Sequence, residues 1–599
     1  MALIPLPVFD APPADGAGFT AETMIPDLLK KRPEARAVLD RYGLRGCGGP
    51  DGPYETLGYY ARAHGVDWDQ LSRELAEALG GKVVMGASRD ETTLMADTIY
   101  RRFFMAGIAI VLTAGASWGA WLLWRIGLGH SFKAASIQTI NAHGVAQISG
   151  WMGLFIMGFA CQAFPRIWHT SLAAPRLAGT VFLAMVVGVL TQAAGMIMPQ
   201  GSSVGLSLAM LGAGLQVIAV TIFAGQIVAT YRGSHARFEP YVAFIMAGLG
   251  WFLASVVMSG WHTWTTMTAA DEATQVWYIS TYQFPLRDLQ IHGLALFMIL
   301  GVSSRFVPAL FGTAKIEDRR AWTAFGILLA AVLLEVGIFI AYRWTENHVL
   351  AAFLMVPWIL LAVGSAMIVL PWKPWRPFPE TERVTKFVRT AYGWLAISLT
   401  MLLLLPVYSV ILKAVHDVPF SHAYYGAIRH AITVGFVSQM IMGFAAKVVP
   451  TLNGVDPRRL TKLWGPYVLI NLGCAWRVST QTLTDWFPWA FTLVGVSGML
   501  EVTALAWWGG GLVWLMARGL AADDLAGPAP ESIRGEHHPA DVLDWFPETA
   551  AVFSRFGLDG LQNPILRRTL GRRTTLAQAA RMKGIELDAL TGALNAARR

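Results

Sequence analysis

The feature that most constrains this chain is a succession of apolar segments, each about as long as the 20 residues that a helix needs to cross a bilayer. We number them spans 1 to 12. They lie roughly at 104–124, 141–164, 177–198, 204–230, 238–262, 287–311, 321–341, 349–370, 387–412, 424–449, 465–482 and 487–516. Only 14% of the 599 residues are charged, against about 25% in soluble domains. The sequence therefore predicts an all-α, twelve-helix transmembrane bundle embedded in a lipid bilayer.

Basic residues alternate between the connecting segments. The segments before span 1 and after spans 2, 4, 6, 8 and 10 are rich in Lys and Arg, and the others are poorer. Cytoplasmic loops carry such an excess, so both termini are predicted to be cytoplasmic. The net charge of +8 is then explained by these loops, and we expect no nucleic-acid partner. The N-terminal residues lack a basic flank followed by an apolar run, so no signal peptide is predicted.

A nonapeptide pattern recurs three times. MGFACQAFP, LGVSSRFVP and MGFAAKVVP end at Pro165, Pro308 and Pro450, which are 143 and 142 residues apart. The intervals predict three four-helix repeats, made of spans 1–4, 5–8 and 9–12. The prolines are expected to end spans 2, 6 and 10 at the cytoplasmic face. Arg305 and Lys447, inside two of the copies, are interpreted as interfacial cations that reach towards water.

Two soluble pieces flank the membrane part. Residues 21–82 and 536–599 share short matches such as YGL with FGL and GVD with GIE, so they are interpreted as two copies of one small helical domain. The predicted organisation is a linker at 1–20, the first copy at 21–82, the membrane domain at 100–518, a linker at 519–535 and the second copy at 536–599.

Histidines gather at one level of the predicted bundle. Spans 2, 6 and 10 run inwards, and each carries a histidine in its first third: His143, His292 and His430. His262 ends span 5 at the same level, and its role is left open between ligand and interface residue. Intramembrane ionisable groups usually face the bundle interior. Three histidines in three repeats therefore predict a shared metal site in the outer leaflet.

The type of ligand atom narrows the choice of metal. An imidazole binds a metal through one nitrogen while a neighbour anchors the other. The three cysteines are too scattered for a thiolate cluster, so an all-histidine site favours copper or haem iron. The alternative is a hydrogen-bonded interface histidine, and we prefer it for the four histidines at loops and edges: His130, His348, His416 and His422.

Arg477, in span 11, lies near the same level and needs an anion there. A haem propionate would serve as that anion. The alternative is Glu335 of span 7, in an ion pair that locks two helices together.

Two stretches of the sequence are similar to a known protein family. HGVAQISGWMGLFIMGFACQAFPR at 143–166 and RHAITVGFVSQMIMGFAAKVVP at 429–450 resemble the NnrS family, bacterial membrane proteins associated with nitric oxide tolerance and denitrification. The resemblance covers roughly residues 100–516. It implies haem and copper as cofactors, nitric oxide as ligand or substrate, and the bacterial cytoplasmic (inner) membrane as location.

A more distant likeness is to the catalytic subunit of haem–copper oxidases, which also has twelve helices in three arcs of four. Span 7 here has no histidine, and His430 has no second histidine two residues away. The likeness therefore implies at most one haem, held by His143 and His430, with copper on His292 and His262 as a further candidate ligand. The terminal pieces are similar to the small helical domain of iron–sulfur repair di-iron proteins, which implies a docking or sensing role with a cytoplasmic protein partner and no catalysis.

We therefore expect a haem- and copper-binding integral membrane protein of nitric oxide metabolism or nitrosative-stress tolerance. The residues do not decide whether it converts nitric oxide, as an oxidoreductase with an unknown electron donor, or only binds it. One alternative is a secondary transporter, although transporter repeats more often come in twos. The other is a membrane-anchored sensor or scaffold that acts through its duplicated terminal domains.

Overall fold

The computed structural model describes residues 19–44, 52–80, 91–376, 383–455, 457, 460–517, 530, 532–562, 571 and 574–598. Within these residues the regular elements are helices. The all-α prediction is confirmed.

In the part of the chain that the structure describes, eleven helices are long and apolar enough to cross a membrane. They correspond to predicted spans 1 to 10 and 12: Thr98–Leu128, Ile137–Ile167, Leu177–Ile197, Ser203–Arg232, Pro240–Met267, Glu272–Phe311, Asp318–Thr345, His348–Trp372, Thr385–His416, His422–Leu452 and Ala490–Ala517. Their outward faces expose large aliphatic side chains such as Leu183, Leu333 and Val410, as a surface in contact with lipid does. These helices indicate a multi-pass membrane protein.

The predicted span 11 is a helix of 20 residues, Trp464–Leu483, but it is less apolar than the eleven. Asn471, Arg477 and Gln481 interrupt its apolar sequence. Two of these side chains are used inside the bundle, because Asn471 bonds Gln439 and Gln481 is buried. A twelfth membrane crossing therefore stays a prediction.

Spans 2, 6 and 10 each contain a π-helical segment. These segments are Ala146–Gly153, Leu289–Ala295 and Ala431–Ser438. A π-helix is rare and is frequently found at functional sites. In each span the segment contains the predicted metal-binding histidine or begins within three residues of it.

Glycines set the packing of these spans. In each nonapeptide the glycine lies against a phenylalanine of the first helix of the same predicted set: Gly158 against Phe103, Gly301 against Phe244, and Gly443 against Phe387. A Cβ atom on these glycines would come 2.8, 2.9 and 3.2 Å from the phenylalanine Cβ. Small residues allow this close helix approach in lipid.

A second glycine precedes each of these by eight residues and makes the same kind of contact. The pairs are Gly150 with Ile110, Gly293 with Trp251, and Gly435 with Trp394. Each lies in a π-helical segment, so the segment packs directly on the first span of its set.

The prolines do not end their helices as predicted. Spans 2, 6 and 10 continue to Ile167, Phe311 and Leu452, two or three residues past the proline. Proline in a membrane helix is tolerated where neighbouring groups satisfy the freed backbone carbonyl. We call this end of the three spans the proline end.

The N-terminal piece contains the helices Ile25–Lys31, Ala35–Leu39, Leu57–His64 and Trp68–Gly80. Their buried core includes Leu28, Leu39 and Tyr60, and the Tyr60 hydroxyl donates to the carbonyl of Leu39. These helices belong to the same compact unit as the membrane helices.

The C-terminal residues form a second compact unit. Its helices include Pro539–Trp545, Ala550–Arg555, Leu576–Lys583 and Leu587–Ala597. The helix Leu576–Lys583 is capped by Thr575 and followed by Gly584 in the left-handed conformation. The helix Leu57–His64 of the N-terminal piece is likewise capped by Thr56 and followed by a left-handed glycine, Gly65. Both pieces thus use the same helix signals in the same order.

Candidate metal centre

His143 is held by span 1. Its Nδ1–H donates to the carbonyl of Gly115, 3.0 Å away, because a carbonyl oxygen can only accept. Gly115 lies in a π-helical segment of span 1, Val111–Gly115. The bond leaves Nε2 as the acceptor nitrogen of this imidazole. Gly119 also packs against the ring, since a Cβ there would come 2.6 Å from His143 Cε1.

His292 is held by a carboxylate. Its Nδ1 lies 2.7 Å from Oε2 of Glu335 on span 7. The other carboxylate oxygen, Oε1, accepts from the indole Nε1–H of Trp358, 3.0 Å away. A carboxylate bonded to one imidazole nitrogen fixes the ring and raises its basicity, which is the usual support of a metal-ligating histidine.

Asp288 completes a cluster that was not predicted from the sequence. Asp288, His292 and Glu335 are all buried, and each offers a ligand atom within 4.8 Å of the other two. Asp288 and His292 stand four residues apart on one helix, so they share a face. The four-residue spacing of Asp288 and His292 is the sequence feature from which the cluster could have been predicted.

Span 10 covers Asp288 from the other side. Arg429 Nη2 lies 3.6 Å from Asp288 Oδ1, and the Tyr425 hydroxyl lies 3.5 Å from the same oxygen. The Arg429 guanidinium stacks over Tyr425 and Phe284 at 4.4 and 4.9 Å from the ring centroids. A partly buried cation, Arg429, therefore stands beside Asp288.

His430 is also held by a carboxylate. Its Nε2 lies 2.7 Å from Oε1 of Glu501 on span 12. Through Arg429 and His430, two successive residues, span 10 contacts both Asp288 and Glu501. His143 lies within electrostatic reach of His430 and of Arg477. The structure thus brings together three of the predicted site residues.

Arg477 does not pair with Glu335. Glu335 is engaged by His292 and Trp358, whereas Arg477 lies within electrostatic reach of Glu501. Among the described residues, the buried Nε and Nη1 atoms of Arg477 have no hydrogen-bond partner. The predicted alternative, an Arg477–Glu335 pair, is therefore not formed, and the N–H groups of two guanidinium nitrogens remain for an anion.

His262 lies outside the three-residue cluster around His292. It is 2% exposed, and its buried Nε2 has no hydrogen-bond partner among the described residues. The residues that lie close to His292 in this cluster are Asp288 and Glu335, and a metal-binding role for His262 stays a prediction.

The three histidines are not at one register. Counted back from the closing proline, His143 lies 22 residues away, His430 lies 20 and His292 lies 16. Asp288 occupies the register of His430. His292 lies four residues nearer the proline end than Asp288. By this count His143 and His430 lie at similar registers, and His292 lies nearer the proline end.

The residues fit the groups that the resemblance implies. His143 offers Nε2, and Arg477 offers the unpaired nitrogens Nε and Nη1, whose N–H groups suit a haem propionate. Asp288, His292 and Glu335 offer one nitrogen and carboxylate oxygens. This donor set suits a divalent first-row ion such as copper(II), since copper(I) prefers sulfur.

Comparison with known families gives two matches. A family described as NnrS protein matches residues 96–519, which include all twelve predicted spans. A domain of unknown function, DUF1858, matches residues 540–591 in the C-terminal unit. No curated protein matches the chain.

Proposed function

The chain belongs to the NnrS family, and from this premise we propose that it is a haem- and copper-binding membrane protein of nitric oxide metabolism or nitrosative-stress tolerance. The observation that carries the proposal is the anchoring of three intramembrane histidines. Each has one ring nitrogen bonded to an acceptor, two of them to carboxylates. This is how proteins prepare imidazoles for metal.

In this proposal His143 and His430 hold haem, with Arg477 on a propionate, and Asp288, His292 and Glu335 hold copper. Bound iron and copper would supply a ligand site for nitric oxide and the redox capacity to convert it. His430 is bonded to Glu501 through Nε2 in the structure, so Nδ1 is the nitrogen it has left for metal.

The protein's own residues orient the site and exclude water. Glu335 and Glu501 fix two imidazole rings, and Arg429 balances the charge of Asp288. Below the cluster, towards the proline end, lies an apolar cavity of about 90 Å³ lined by side chains such as Phe155, Met298 and Met440. Small apolar molecules such as nitric oxide enter such a cavity more readily than ions do.

The repeat architecture is part of the same proposal. We infer twelve membrane crossings in three sets of four, in the bacterial inner membrane, with both termini cytoplasmic. The matching glycine contacts of spans 2, 6 and 10 support three repeats. The alternation of basic connecting segments supports the orientation.

The test is an optical spectrum of the purified full-length protein, expressed with haem precursor and copper supplied. We expect a haem band in the reduced-minus-oxidised spectrum and a shift of that band on addition of nitric oxide. His143→Ala should lose the band, whereas His348→Ala, at the edge of span 8, should keep it. A colourless wild-type protein would contradict the proposal.

A second candidate is a membrane-anchored sensor. The seating of the N-terminal helices on the membrane helices favours it, through an ion pair between Lys447 and Glu55. If this is the function, metal-free protein should still respond to its signal by a change in protease sensitivity of residues 52–80.

A further inference from the structure

Arg287 is a buried arginine of span 6, 9% exposed, that was not predicted as a site residue from the sequence. It lies 21 residues before Pro308, whereas His143 and His430 lie 22 and 20 residues before the closing prolines of their own spans. By this count Arg287 shares the register of the two histidines that are proposed to hold haem. Its position along the span therefore places it at the level of the proposed haem site.

The hydrogen bonds of Arg287 go to neutral amides. Its Nη1 donates to Oε1 of Gln290, 2.7 Å away, and its Nη2 donates to Oδ1 of Asn141, 3.0 Å away. The Asn141 oxygen also accepts from Nε2 of Gln283 at 2.5 Å. Gln290 belongs to span 6 and Asn141 to span 2, so the guanidinium is fixed between two spans. Amide oxygens carry no net charge, so these bonds leave the positive charge uncompensated.

No carboxylate compensates this charge in the part of the chain that the structure describes. Asp288, the next residue, pairs with Arg429. Glu335 and Glu501 are each bonded to a histidine. The charged group that acts on Arg287 is a second cation, Arg429. A buried charge without an opposite partner is costly within a membrane bundle, so Arg287 is suited to an anion that the polypeptide does not supply.

The guanidinium of Arg287 lies against span 2, next to the backbone of His143. A Cβ on Gly144, the residue after His143, would come 2.4 Å from Arg287 Nη2 and 2.9 Å from its Cζ, so this contact needs a residue without a side chain. His143 lies within electrostatic reach of both Arg287 and Arg477. Two cations therefore approach one anchored histidine.

The haem that is proposed for His143 and His430 carries two propionates, and Arg477 is assigned to one of them. We propose that Arg287 binds the other. Its bonds to the two amides use one N–H of each terminal nitrogen, so further N–H groups remain for the paired hydrogen bonds that a guanidinium makes with a carboxylate. With one arginine for each propionate, the site selects a dianionic porphyrin. This inference rests on the proposed function, because it requires that haem is bound.

The test compares two porphyrins. Full-length protein is purified from haem-deficient cells with copper supplied, and is titrated with haem or with haem dimethyl ester, in which both propionates are esterified and uncharged. The change in absorbance gives a Kd for each porphyrin. We expect the wild type to bind haem at least a hundredfold more tightly than the ester, since the ester forms no ion pair with Arg287 or Arg477.

The readout is the ratio of the two Kd values, because a variant that only loosens the fold weakens the binding of both porphyrins alike. Arg287→Gln should lower the preference for haem at least tenfold. Arg125→Gln, which removes an exposed arginine in the last turn of span 1, should change the preference less than twofold. If Arg287→Gln is not recovered in folded form, Arg287→Lys takes its place. Lysine keeps the charge but loses the paired hydrogen bonds, so the preference should fall at least threefold.

The outcomes separate this inference from the proposed function. A wild type that binds neither porphyrin contradicts the proposed function, and the assignment of Arg287 with it. A wild type that binds haem overturns the assignment of Arg287 alone if it binds the ester equally well, or if the Arg287 variant keeps the wild-type ratio. The unchanged ratio is also the result expected if Arg287 holds a free inorganic anion in place of a propionate.

Discussion

Glu335 is the residue that holds the imidazole of His292 in place. It bonds His292 through one oxygen and Trp358 through the other, so it is fixed between two neighbouring spans. Glu335→Gln keeps the shape but removes the charge that a divalent ion needs. We expect the copper content to fall at least tenfold, measured by elemental analysis of purified protein.

The control for this change is Glu346→Gln, since Glu346 is an exposed residue at the end of the same span. It should keep the copper content of the wild type. Equal copper in Glu335→Gln and the wild type would exclude Glu335 from the metal site.

The second prediction at the scale of single residues concerns Arg477. The N–H groups of its unpaired nitrogens Nε and Nη1 suit a propionate, so Arg477→Gln should leave folding intact and speed haem loss severalfold. The measurement is transfer of haem to apomyoglobin, with the exposed Arg125→Gln as control. If Arg477→Gln loses haem at the wild-type rate, the propionate assignment is wrong.

Sequence reasoning found the histidines but not what holds them. His143, His292 and His430 stand out because ionisable residues are rare in apolar spans. Their partners Gly115, Glu335 and Glu501 lie 28, 43 and 71 residues away. Such contacts depend on how each helix is rotated about its axis, and no local spacing records that rotation.

The π-helical segments are the main feature at the scale of elements. They bring Gly150, Gly293 and Gly435 against the first span of each set. The sequence predicts only apolar helices at these positions, because hydrophobic periodicity does not distinguish a π-helical segment from an α-helical one. The eight-residue spacing of the paired glycines was visible in the sequence, but the partner of each glycine was not.

This packing predicts an effect on stability. A Cβ on Gly435 would come 2.4 Å from Trp394 Cγ, so Gly435→Ala forces the two helices apart and should destabilise the protein by about 1–3 kcal/mol. Gly393→Ala is the matched control, because a Cβ there has open space. Thermal unfolding in detergent should show a lower midpoint for Gly435→Ala alone, and equal midpoints would contradict the predicted clash.

At the scale of the molecule, the N-terminal helices and the membrane helices behave as one unit. The sequence predicts the N-terminal piece as a helical domain from its amphipathic spacing. The sequence could not predict the seat, by which we mean the contacts of the N-terminal helices with the membrane helices. Glu55, Tyr59 and Gly65 contact span 6 and span 10, which lie hundreds of residues away along the chain.

The seat predicts a pH dependence. His64 has a pKa of about 3 in the folded protein, below the usual 6.5, because of burial and neighbouring cations. As the pH falls below 6.5, His64 takes up a proton in the unfolded or undocked state but not in the folded state. The free energy that stabilises the docked state therefore falls by roughly 1.4 kcal/mol per pH unit. Hydrogen exchange of Leu57–His64, corrected for intrinsic rates, should be less protected at pH 5 than at pH 7.

His64→Gln removes the titrating group, so its protection should depend less on pH than that of the wild type. His235→Gln, outside the seat, should keep the wild-type dependence. The account of the seat is wrong if wild-type protection of this helix is the same at pH 5 and pH 7.

The central claim is that the anchored histidines within the membrane bundle hold metal. The most direct measurement is iron and copper per chain in wild type, His143→Ala, His292→Ala, His430→Ala and the edge control His416→Ala, all purified folded under the same metal supply. We predict that His143→Ala and His430→Ala lose iron, that His292→Ala loses copper, and that His416→Ala keeps both. Wild-type metal content in all three core variants would contradict the claim.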